Sequence, residues 1–152
     1  MKRIALLGLA CFVLLSCDDD SSGKVTNEFL VGNWNCVDKL YESGYDTKLK
    51  EYRDYYESYS GQTTFSYKIV NGILLSKNGD KEAVEINLDR FYKNLKMEVN
   101  SLGFEYVSNT NLLKNSNNKY TFEREMYIAS QNDSIGITKS RMKILKVCTR
   151  VK

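Results

Sequence analysis

The sequence predicts a single all-β domain, an antiparallel barrel or sandwich of about eight strands, on three observations. From residue 64 to residue 128, short runs alternate apolar and polar residues, the period of strands that bury one face. Turn residues divide these runs at short spacing: Asn71-Gly72, Asn78-Gly79-Asp80, Asn115-Ser116-Asn117-Asn118 and Gln131-Asn132-Asp133. Helical periodicity is confined to one stretch, between Gly44 and Gly61.

The first segment is set apart from that domain. Lys2 and Arg3 precede an apolar run from Ile4 to Leu15, which is the layout of an export signal and is too short for the roughly 20 apolar residues that span a bilayer. Leu14-Leu15-Ser16-Cys17 resembles the lipobox of bacterial lipoproteins, in which a small residue precedes the acylated cysteine. The resemblance implies a signal peptide over 1–16, lipidation at Cys17 and membrane lipid as a partner through that acylated cysteine. Acyl chains bury about 0.8 kcal/mol per methylene, so two or three of them would hold the chain at a membrane. The competing reading is an ordinary signal peptide cut elsewhere, with Cys17 a plain thiol.

Asp18-Asp19-Asp20-Ser21-Ser22-Gly23-Lys24 has no apolar residue, so 17–27 is expected to be an acidic, flexible tether ahead of a domain over 28–152. An acidic run after the lipidated cysteine resembles the signal that sends some bacterial lipoproteins to the outer face of the outer membrane. That implies an outer-membrane, cell-surface location, with a periplasm-facing, inner-membrane location as the alternative.

Charge and cysteine usage narrow the function. The chain has 22 Lys plus Arg against 19 Asp plus Glu; without Lys2 and Arg3 the balance is 20 to 19. A near-neutral domain has no electrostatic footprint for nucleic acid, so no nucleic-acid partner is expected. Once Cys11 leaves with the signal and Cys17 is acylated, Cys36 and Cys148 remain, either as one disulfide or as two buried thiols. Pairing would close a loop of over a hundred residues, worth about 4–5 kcal/mol in the chain-entropy picture. The absence of histidine excludes His-dependent triads and imidazole-ligated metals. The carboxylate pairs Glu85/Asp89 and Glu123/Glu125 read as solvated strand faces, and neither catalysis nor a cofactor or metal is expected.

Along the domain, Tyr45, Leu49, Tyr52, Tyr56 and Tyr59 recur at three and four residues, which favours a short helix or long loop over 45–60, with an edge strand as the competitor. Thr64-Phe65-Ser66-Tyr67-Lys68-Ile69 alternates, and Asn71-Gly72 supplies two positive-φ positions for a hairpin that sets Val70 opposite Ile73 and Ile69 opposite Leu74. Val84, Ile86 and Leu88 alternate with polar residues as a half-buried strand. Leu95-Met97-Val99, Phe104-Tyr106 and Tyr120-Phe122-Met126-Ile128 repeat the pattern. A last run over 135–151 puts Met142, Ile144 and Cys148 on one side. The predicted inward set is Phe65, Tyr67, Ile69, Leu74, Val84, Ile86, Leu88, Phe122 and Met126.

Phe29-Leu30-Val31-Gly32-Asn33-Trp34-Asn35-Cys36 resembles the opening of lipocalins and of small lipocalin-like bacterial lipoproteins, where a turn leads into Gly-x-Trp on the first strand. Thr64-Phe65 and Tyr120-Thr121-Phe122-Glu123-Arg124 resemble further strands of that group. The resemblance implies a lipocalin-like β-barrel in which Gly32 permits a close bend and Trp34 is packed by a late-strand arginine, Arg124 or Arg150. It also implies a carrier of a small apolar ligand. The alternative is a non-catalytic lipoprotein with a filled interior that contacts another envelope protein.

Overall fold

A computed structural model describes residues 23–91, 95–101, 103–132 and 136–152. The signal segment 1–16, Cys17 and the run Asp18–Asp20 lie outside the described residues.

The first described residues are already part of the fold. Gly23 pairs with Lys114, and Val25 is fully buried, so the tether expected over 17–27 gives way to packed chain from Gly23 onward. The reason is Val25: one apolar side chain seated in the core fixes the backbone on either side of it. Thr26 then caps a single helical turn, α1 (Asn27–Leu30), by accepting from Phe29 N at 3.1 Å.

Nine strands follow among the described residues: β1 (Gly32–Asp46), β2 (Glu51–Tyr52), β3 (Tyr56–Val70), β4 (Ile73–Asn78), β5 (Val84–Glu85), β6 (Leu95–Ser101), β7 (Phe104–Ser116), β8 (Lys119–Asn132) and β9 (Gly136–Arg150). They form one antiparallel sheet in the order β5-β4-β3-β1-β9-β8-β7-β6, with β2 against β1. The sheet curls into a half-barrel, in agreement with the all-β antiparallel fold expected from the sequence. Its outer strands, β5 and β6, are successive in sequence, and the segment between them carries a 3₁₀ turn, Leu88–Phe91.

Turn chemistry sets the register. Asn71 and Gly72 adopt φ of 51° and 80°, and the β3–β4 hairpin pairs Val70 with Ile73 and Ile69 with Leu74, as predicted. Gly79 and Gly103 also take positive φ at turns.

Two predicted elements differ. The helix or loop expected over 45–60 is a long hairpin: β1 runs through Tyr45, turns back at 47–50, and pairs Tyr45 with Tyr52 before β3 begins at Tyr56. Backbone pairing along β1 outweighs the local periodicity, because each added ladder position satisfies groups that an isolated helix end would leave open. The strand expected across Val84–Leu88 stops after Glu85. Asn87 Oδ1 accepts from Asp89 N at 2.9 Å, and this local turn bends the chain into the 3₁₀ segment. Val84 and Ile69, predicted inward, are exposed.

The core gathers on one face: Trp34 and Cys36 of β1, Leu74 of β4, Leu112 of β7, Tyr120 of β8 and Cys148 of β9. Val25, Leu30 and Leu88 close over it from the connections. Trp34, fully buried, is the largest of these. At about 25 cal/mol per Å², an aromatic side chain burying about 200 Å² contributes roughly 5 kcal/mol of transfer free energy.

Candidate functional site

The cavity lies on the inner face beside this core, and two of its lining residues, Leu30 and Tyr120, pack against Trp34 of the Gly-x-Trp segment. Gly32 takes φ of 122°, and a Cβ there would stand 2.9 Å from Arg150 Nη1, so both backbone and space call for glycine. Trp34 Nε1 donates to Leu30 O at 2.7 Å. Arg150 lies 4.3 Å from the indole centroid, and its Nη1 donates to Val31 O at 2.6 Å and its Nη2 to Phe29 O. Of the two arginines the sequence offered, Arg150 packs the tryptophan. Arg124 instead stands 5.6 Å over Phe122 and donates from Nε to Thr110 Oγ1 at 3.3 Å. Phe29 and Tyr120 complete the ring cluster, with centroids 5.3 and 4.8 Å from Trp34.

Cys36 and Cys148 form a disulfide, with their Cα atoms 4.0 Å apart in directly paired positions of β1 and β9. Of the two states the sequence left open for Cys36 and Cys148, the structure has the disulfide, and both residues are buried.

Beside this cluster is a half-open cavity of about 190 Å³. Leu30, Phe65, Ile86, Leu88, Phe91, Leu112 and Phe122 supply apolar walls. Tyr67, Ser76, Tyr120 and Lys146 form a polar strip on the remaining wall. The Tyr67 and Tyr120 hydroxyls are 3.0 Å apart, and burial pushes both phenols above the ordinary tyrosine range, so both stay neutral. Lys146 Nζ sits 4.1 Å from the Phe65 centroid and 3.3 Å from Asp38 Oδ1. Asp38 Oδ2 accepts from Thr63 Oγ1 at 2.5 Å, whereas its Oδ1 is buried without a hydrogen bond.

Sequence reasoning named Phe65, Tyr67, Ile86, Leu88 and Phe122 as inward, and all five line the cavity. It missed Lys146 and Asp38. Strand parity held the missing signal: Asp38 is two residues past Cys36 and Lys146 two before Cys148, so both project to the disulfide's face and pair with one another.

On the opposite face, a second cluster absorbs Tyr45 and Tyr52, two of the tyrosines that suggested a helix, whereas Tyr56 and Tyr59 are exposed. Tyr52 stacks edge-on with Tyr45 at 5.1 Å and Tyr127 at 6.2 Å, and Arg141 lies 4.2 Å over Tyr52 and 5.1 Å over Tyr55. Tyr55 donates to Glu125 Oε1 at 2.8 Å. Burial first, then the Tyr127 hydroxyl for Tyr52 and the Glu125 carboxylate for Tyr55, pushes each phenol up to about 12. The Glu123/Glu125 pair is divided by these contacts, since Glu123 bridges to Lys143.

No protein-family model, no curated protein and no solved structure matches the chain.

Proposed function

We propose that the chain is an envelope lipoprotein, anchored through acylated Cys17, whose lipocalin-like half-barrel binds a small apolar molecule without catalysis. The observation behind this reading is the cavity of about 190 Å³, walled on most sides by aliphatic and aromatic side chains. An enclosed, wholly apolar cavity of about 150 Å³ takes up benzene, so by volume this half-open one has room for a compact ring with a short substituent.

Native mass spectrometry of protein purified from its host tests the binding: a small molecule released on denaturation supports it, and repeated recovery of the bare chain opposes it. Palmitate labelling tests the anchor. Label lost in Cys17→Ser supports acylation there, and an unlabelled parent protein refutes it.

One observation favours the second reading, a lipoprotein with a filled interior that contacts another envelope protein. Ligand pockets typically measure about 300–1,000 Å³, and bulky residues such as Trp34, Tyr120 and Phe122 leave less than that here. A bare chain that retains a protein partner after crosslinking in intact cells would establish that reading instead.

A further inference from the structure

The polar strip says which small molecules the cavity selects, an inference that rests on the carrier reading. Lys146 and Asp38 oppose each other across β1 and β9, and their opposite charges sum to zero beside an apolar wall. Their geometry leaves the ammonium underused. Asp38 Oδ1 accepts no hydrogen bond although Lys146 Nζ is 3.3 Å away, so the lysine's donors are not spent on that oxygen. Lys146 is only 23% exposed, lines the cavity, and is held over the Phe65 ring.

An incoming carbonyl or hydroxyl oxygen would take a Lys146 N–H and add no charge. An incoming carboxylate would bring a second anion close to Asp38 in a poorly solvated site, where like charges repel strongly. A pure hydrocarbon would leave the ammonium donors unanswered after displacing their water.

We infer that the cavity selects compact, uncharged, largely apolar molecules that carry one hydrogen-bond acceptor, and that Lys146 donates to that acceptor.

Three single-ring probes of similar size separate the cases: ethylbenzene without an acceptor, acetophenone with a neutral carbonyl, and benzoate with a charge. Each is titrated calorimetrically into the full chain in lipid nanodiscs, with empty nanodiscs subtracting partition into lipid. The expected order is acetophenone tighter than ethylbenzene and than benzoate by about tenfold, the scale of a hydrogen bond to a charged donor. In Lys146→Met, and in Asp38→Asn/Lys146→Met, which leaves no lone buried charge, acetophenone should fall to the affinity of ethylbenzene.

Equal binding of ethylbenzene and acetophenone to the parent chain overturns the inference and leaves the carrier reading standing. So does tightest binding of benzoate, or an acetophenone preference that survives both variants. Failure of all three probes to bind removes the carrier reading and this inference together.

Discussion

Arg150, at the end of the last strand, lies 4.3 Å from the Trp34 indole on the first, and it also grips the carbonyls of Phe29 and Val31. One side chain thereby ties the start of β1, the end of α1 and the end of β9 together.

Arg150→Met keeps most of the stem but loses the charge and both hydrogen bonds. Charge-assisted bonds contribute about 1.5–3 kcal/mol and a desolvated cation–π contact up to about 2, so the expected loss is about 2–4 kcal/mol by urea denaturation. Arg124→Met should cost less than half as much. A reversed order would mean that Arg124 holds the fold.

Gly32→Ala should destabilise by more than about 1 kcal/mol, since alanine at φ of 122° is strained and its Cβ would press on Arg150 Nη1 at 2.9 Å. Gly44→Ala is the matched control, with open space around its Cβ position. Thermal melts should show a clear fall for the first and a near-unchanged midpoint for the second.

Replacing the disulfide by Cys36→Ala/Cys148→Ala opens a link between residues 112 apart in sequence. The chain-entropy relation gives about 4–5 kcal/mol for such a loop. Urea midpoints of the oxidised and substituted proteins should differ accordingly, and a difference under about 1 kcal/mol would show that the unfolded chain is not what the bond restrains.

Alkali should unfold the protein. Burial raises the Tyr67 and Tyr120 phenols in the folded state, so the unfolded chain loses those protons first. Their contribution is fully present below about pH 10, the ordinary tyrosine value, and is lost as the pH climbs above it. Absorbance at the phenolate band should resolve Tyr52 and Tyr55 near 12, with Tyr120 ionising only as the fold gives way. Disappearance of that late phase in a Tyr120→Phe variant would confirm its assignment.

The parts of this structure visible in the sequence were those fixed by local chemistry. Asn71-Gly72 specified its hairpin and register because two adjacent positive-φ residues admit few other turns. Gly32 and Trp34 announced the first strand. The long β1–β3 hairpin was hidden because Tyr45, Tyr52, Tyr56 and Tyr59 happen to share a helical spacing, while the β1 ladder that overrules it is completed on its other edge by β9, far along the chain. Val25 looked like part of a tether because a single apolar residue among polar neighbours has no period to betray its burial. Lys146 and Asp38 escaped notice for a related reason: charges in an alternating strand read as solvent-facing until their own parity is anchored to the inner face by Trp34, Cys36 and Cys148.

The first and last long strands are immediate neighbours in the middle of the sheet. A ribosome delivers the chain from its amino end, so β1 must wait for β9 before its second edge is filled. A premature stop codon that removed the 15 residues of β9 would therefore yield two unjoined ribbons, with β1 and β8 each offering a bare backbone edge to whatever strand lies nearby.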